Sequence, residues 1–281
     1  MSKKAVLCLF GVINRSIQHT WRNMQTRIIQ ELNNQNIDVD IYVFNLICDN
    51  GLVDGVNVNT TDHEIINATF YEWKYQSELD EEILRYKRSV PHKISYHPCF
   101  NEETVQNTMR QMYSEYRVGQ FLKSNRDKYD YAIVCGPDYY VTQLINITDL
   151  KLSEKDRAVY ISTVNPGRNG YTNGYYMSSN LDNLIVLLCR YLHILPYLKN
   201  FRADYEQLLR IYCINNNVHV KPTNQVFFKI RANKYVHWQG FNNTHKKTCN
   251  KKQPIDYIKK KILYTGWSKK NFTVLNVHYF L

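Results

Sequence analysis

Glycine and proline are scarce, 10 and 7 among 281 residues, and no run of Ser, Gly, Gln or acidic residues occurs, which excludes collagenous, low-complexity and largely disordered chains. No repeat period is visible. No stretch reaches the roughly 20 apolar residues of a membrane helix, so a spanning protein is not expected. Lys3-Lys4 before the apolar run Ala5 to Ile13 imitates a short signal peptide, but Asn14-Arg15-Ser16 follows in place of a small-residue cleavage site, and the run is read as a first core strand. The seven cysteines (Cys8, Cys48, Cys99, Cys135, Cys189, Cys213, Cys249) are odd in number and contain no CxxC pair. Cys8, Cys135 and Cys189 lie in apolar runs where a reduced thiol packs as a small hydrophobe, so a reducing, cytoplasmic compartment is expected. Sequons such as Asn59-Thr60-Thr61 are then accidents of an Asn-rich composition. There is no GxGxxG after a strand, no GxxxxGK[ST] and no GxSxG elbow, which removes the dinucleotide, P-loop and serine-hydrolase fingerprints. His92, His97 and Cys99, and His245 with Cys249, match no established zinc spacing.

What is present is a folded chain of one or two domains, 44% hydrophobic and 14% aromatic. Its formal net charge of +11 is confined to one end. Residues 1–227 hold 24 Lys+Arg and 24 Asp+Glu, whereas residues 228–281 hold 12 Lys+Arg against Asp256 alone. A neutral body, 1–227, and a lysine-rich C-terminal segment, 228–281, are therefore expected. In that segment Lys246-Lys247, Lys251-Lys252, Lys259-Lys260-Lys261 and Lys269-Lys270 alternate with Trp238, Tyr257, Tyr264 and Trp267. The mixture suits an anionic membrane surface, a diphosphate or, less readily because lysine outnumbers arginine, nucleic acid; a solvated subdomain accounts for it equally well.

The order of elements reads as α/β. Ala5 to Phe10 is a strand buried on both faces, Ser16 is placed to cap a helix carrying Trp21, Met24, Ile28 and Leu32, and Asp38 to Leu46 is the next strand, completing a βαβ unit. Residues 49–100 read mostly as a long excursion carrying substrate-facing loops, with a candidate helix at Glu81-Glu82-Ile83-Leu84 and Arg85-Tyr86. A helix from Asn101, a strand Tyr129 to Cys135, a strand Arg157 to Thr163, a short strand Tyr175 to Ser178, a helix from Leu181 to Pro196, a helix opened by an Asp204/Gln207 capping box, and strands near Val218 and Val226 complete the pattern.

Ligands of open α/β sheets bind beyond the carboxyl ends of strands, and two turns occupy that place. After the first strand, Gly11 admits close backbone approach and Arg15 can pair with phosphate oxygens; a tight turn with a surface arginine reads the same way. After the strand ending at Cys135, Gly136-Pro137-Asp138 puts a carboxylate on a rigid edge, where it either caps the bend or meets a hard cation.

The apolar strand with Gly and Arg, then VDIYVFN, NTMRQMYSEYRV, YDYAIVCGPDYYV, YTNGYYMSSNLDNLIVLLCRY and YEQLLRIYCINNNVHV, in that order over residues 4–230, resembles GT-A-type glycosyltransferases, in particular divergent members in giant viruses and bacterial surface-polysaccharide loci. The resemblance implies a GT-A-like, Rossmann-type mixed sheet flanked by helices, with a basic C-terminal extension. It implies transfer of a sugar from a nucleotide diphosphate sugar to a hydroxyl of a glycan or protein, with Gly11 and Arg15 facing the donor and Mn²⁺ or Mg²⁺ at Asp138. The family's Asp-x-Asp or Arg-x-Asp step is Gly-Pro-Asp here. Where relatives carry an aspartate, this chain has Asn173, which places it at the donor but gives it no basic function. Glu206, in the first turn of the late helix, matches the acid that orients or deprotonates the acceptor; the helix dipole alone also favours an acid there. A non-catalytic fold that holds nucleic acid or another polyanion through its basic segment is the alternative.

Overall fold

The structure, a computed structural model, describes residues 2–88, 102–162, 173–194, 205–223, 225, 227–237 and 253–254. The first strand, β1 (Lys3–Gly11), leads through a 3₁₀ turn, Ile13–Arg15, into α1 (Ile17–Met24). A π turn, Gln25–Ile29, joins α1 to α2 (Gln30–Asn34), and β2 (Ile37–Ile47) follows. The excursion holds a hairpin of β3 (Leu52–Val53) and β4 (Val56–Asn57) and a strand β5 (Phe70–Tyr75), none of which its sequence announces, and then the helix expected around Glu81 to Tyr86, α3 (Gln76–Arg88). Next come α4 (Glu102–Ser124), β6 (Tyr131–Cys135), β7 (Tyr139–Val141), α5 (Ile147–Asp156), β8 (Ala158–Ile161), β9 (Tyr175–Ser178) and α6 (Leu181–Leu188). The described chain closes with α7 (Tyr205–Asn215), β10 (His219–Pro222), β11 (Phe227–Ile230), β12 (Tyr235–His237) and β13 (Gln253–Pro254).

Seven strands form the central sheet in the order β10-β8-β9-β6-β1-β2-β5. β1 is parallel to β2 and β6, β2 to β5, and β10 to β8, while β9 runs antiparallel to both its neighbours. This is the mixed, helix-flanked sheet that the resemblance implies. β1 sits near its middle because each of its faces is apolar: Val6, Cys8 and Phe10 pack into the layer formed with α4, α6 and α7, and Ala5, Leu7 and Leu9 into the layer formed with α1 and α5. A second, antiparallel sheet, β13-β12-β11-β7, lies beyond the end of β6. Its strand β11 crosses position 227/228, where the charge balance changes.

Ser16 differs from its expected role. It stands at the N-cap of α1, but its side chain makes no cap bond; its hydroxyl donates instead to the Ile230 carbonyl, tying the helix to β11. Cys8, Cys48, Cys135, Cys189 and Cys213 are free thiols. The expected cap Asn101, Asp204 of the capping box, the helix end at Pro196, the residues His92, His97, Cys99, His245 and Cys249, and the lysine pairs from Lys246 onward lie outside the described residues.

Candidate functional site

The parallel pairing of Leu9 with Cys135 sets the carboxyl ends of β1 and β6 side by side. A cavity of about 420 Å³ opens there, within the range of about 300–1,000 Å³ for small-molecule sites. Gly11, Arg15, Asp138, Asn173 and Glu206 all line it. The fold thus brings together the five residues that the sequence singled out.

Backbone geometry shapes the two turns. Gly11 has φ +96°, and a Cβ there would meet nothing within 4 Å, so the chain turns away and leaves room. Asn45, fully buried on β2, accepts from the Ile13 amide at 3.2 Å and holds the turn after β1. A 3₁₀ turn, Ile13–Arg15, precedes the expected helix start at Ser16, and the guanidinium of Arg15 binds both oxygens of Asp54 at 3.0 and 3.1 Å. The second turn is fixed from α1, where the Thr20 hydroxyl donates to the Pro137 carbonyl at 2.6 Å. It is fixed again by β11, whose Ile230 amide donates to the Asp138 carbonyl at 2.7 Å.

Directly after the second turn, the Tyr139 ring forms part of the wall, and its hydroxyl donates to the Asn173 carbonyl. Gly174 has φ +86°, and a Cβ there would lie 3.0 Å from the Tyr139 ring. Gly174→Ala is therefore expected to cost about 1 kcal/mol or more, from a left-handed backbone that alanine resists and a ring that must move. Urea unfolding measures this; a midpoint equal to wild type would show that the wall tolerates a methyl group. The Asn173 amide donates to Glu206 Oε1 at 3.2 Å, placing that carboxylate at the start of α7 on the cavity side.

Sequence reasoning missed several lining residues. Lys229 and Arg231, counted with the basic segment, belong to this site. Lys229 lies on β11 and Arg231 directly after its end. Lys229 pairs in register with Tyr139, and its ammonium lies 4.9 Å from the centre of that ring. Arg231 Nη1 is 3.1 Å from Asp138 Oδ2. Arg110, on α4, also lines the cavity, with its Nε 2.8 Å from Asp80 Oδ1.

These cations decide what Asp138 can do. Burial pushes its carboxyl up, yet Lys229, Arg231 and Arg15 outweigh burial and hold it below the ordinary carboxylate value. Burial pushes the Lys229 ammonium down, with Asp138 opposing. A divalent cation wants several oxygen donors and a field of negative charge. Among the described residues no three His, Cys, Asp or Glu side chains gather into a metal-binding group, and the one acid of the turn already faces three cationic side chains. The expected Mn²⁺ or Mg²⁺ does not fit this donor set.

No family model matches the chain, and no curated protein matches it. Among solved structures it is similar to mouse xyloside xylosyltransferase 1 in its apo form, with a TM-score of 0.42 and 10% identity over 79% of this chain and 85% of that one.

Proposed function

We propose that the chain transfers a sugar from a nucleoside diphosphate sugar to a hydroxyl of a glycan or protein acceptor. The observation that carries this reading is the convergence of Gly11, Arg15, Asp138, Asn173 and Glu206 on one cavity at the carboxyl ends of two adjacent parallel strands. In the proposed reaction the bond between the anomeric carbon and the diphosphate oxygen breaks, and its electron pair leaves with the diphosphate. The acceptor oxygen bonds to the same carbon, and its proton passes to Glu206. Charge that accumulates on the leaving group is met by Arg15, Lys229 and Arg231, already oriented by Asp54, Tyr139 and Asp138, so little reorganisation accompanies the step.

A thermal-shift panel of nucleotide sugars and nucleoside diphosphates tests the reading. At least one uridine, guanosine, adenosine or cytidine diphosphate compound is expected to raise the unfolding temperature in a concentration-dependent way, since ligand at a hundredfold its Kd adds about 2.7 kcal/mol to stability. A flat response across the whole panel would remove the reading.

A further inference from the structure

We propose that the donor diphosphate is held without a metal ion, by the side chains of Lys229, Arg231 and Arg15, and that Asp138 is the counter-charge that assembles these cations rather than a metal ligand. The proposal rests on the transferase reading of the cavity, and its test separates the two.

Three observations carry it. The first is the balance of charge: Lys229, Arg231 and Arg15 all act on the single carboxylate of Asp138, which is only 8% exposed. A divalent ion placed at that carboxylate would enter a field of three like charges, whereas the doubly or triply negative diphosphate would enter a field of opposite sign. The second is that each cation is held from a different element. Lys229 lies over the Tyr139 ring on the β11–β7 pair, Arg231 is held by Asp138, and Arg15 is bound by Asp54. Asp54 also accepts from the Ala232 amide at 3.3 Å, so one carboxylate on the β3–β4 hairpin anchors both the Arg15 turn and the chain just after Arg231. The third is space. Gly11 and Gly136 line the same cavity, and the open side of Gly11 leaves room for phosphate oxygens at the end of β1. An arginine pair and a lysine supply the several fixed donors that a diphosphate's oxygens require.

The preorganisation has a consequence of sign. If Asp138 binds a metal, removing its charge destroys diphosphate binding. If it is only the counter-charge, removing it frees Lys229 and Arg231 for the ligand, and binding survives or tightens.

Calorimetric titration of the full chain with uridine, guanosine and adenosine diphosphates, once in EDTA and once in Mn²⁺, decides the matter. The expected result is that one of them binds in EDTA with a Kd within threefold of that in Mn²⁺. Lys229→Gln and Arg231→Gln are each expected to weaken it at least tenfold in EDTA, and Asp138→Asn to bind as tightly as wild type or more tightly. Circular dichroism and unfolding midpoints check that each variant folds, and the comparison of EDTA with Mn²⁺ on the wild-type chain stands even if one does not. Binding in Mn²⁺ that vanishes in EDTA, or is abolished by Asp138→Asn, overturns the metal-free arrangement and leaves the transferase reading standing. Absence of binding under both conditions overturns both.

Discussion

Arg190→Met is expected to lower the unfolding free energy by about 3–5 kcal/mol, because it strands a buried carboxylate. Arg190 and Glu115 are both completely buried and joined by an ion pair between their side chains. Glu115 also accepts from the Tyr205 hydroxyl at 2.6 Å, from Gln111 Nε2 at 3.1 Å and from the Tyr176 hydroxyl at 3.3 Å. Arg190 Nη1 donates to the Leu187 carbonyl at 2.8 Å. Methionine fills the space but satisfies none of these groups, and an unpaired buried charge costs more than the pair contributes. Urea unfolding is expected to show a lower midpoint at an unchanged slope. The double variant Arg190→Met with Glu115→Gln is expected to regain much of the loss, since neither charge then remains. A single-variant loss under about 1 kcal/mol would mean that water or a rearranged side chain reaches Glu115.

That network is also what connects the core to the cavity. Glu115 stands on α4, Tyr176 on β9 and Tyr205 at the first position of α7. Gln111 and Ser114 of the same α4 turn line the cavity, and so does Glu206, the neighbour of Tyr205. The orientation of the α7 N-terminus is thus set by a buried hydroxyl bonded to a buried acid, and the position of Glu206 follows from it.

What the sequence displayed and what it hid have physical reasons. β1 and β6 were legible because strands covered on both faces are continuous apolar runs, bounded here by Gly11 and by Gly136-Pro137, whereas β2 is exposed or half-buried from Asp38 to Ile41 and buried from Tyr42 to Leu46. β5 was not legible, because at the sheet edge its pattern is inverted. Tyr71, Trp73 and Tyr75 point outward, with Trp73 at 52% exposure, while the more covered positions hold Glu72 and Lys74, each neutralised by an ion pair, to Arg117 and to Glu82. α5 has charged residues on most of its surface and no strong apolar stripe; its start is set by a local bond, the Asn146 side chain accepting from the Asp149 amide at 3.1 Å. β7 has only three residues and exists because β11 returns beside it. The site divides in the same way. Gly11, Arg15 and Asp138 are legible from position alone, since they follow buried strands directly. Lys229 and Arg231 join them through an antiparallel pairing some ninety residues apart in sequence, of Lys229 with Tyr139, and no local pattern announces such a contact. The guanidinium of Arg15 likewise owes its orientation to Asp54, on a separate hairpin.

Glu206→Gln is expected to lower kcat by about 10²–10⁴-fold, the range of a lost general base, with nucleoside diphosphate binding unchanged. Glutamine keeps the size of the side chain, and its amide oxygen can still accept from the Asn173 side chain, which lies 3.2 Å from Glu206 Oε1. What it cannot do is take a proton from the acceptor hydroxyl. Turnover with the nucleotide sugar that most stabilises the wild-type chain, set beside calorimetric titration of the matching diphosphate, separates proton transfer from binding. A kcat within threefold of wild type would reduce Glu206 to an acid that suits the helix N-terminus, and a parallel loss of diphosphate affinity would make it a donor-binding residue instead. Asn173→Ala supplies a comparison, because it leaves the carboxylate in place and removes the bond that orients it. A smaller fall in kcat there than in Glu206→Gln is expected if Asn173 positions a base.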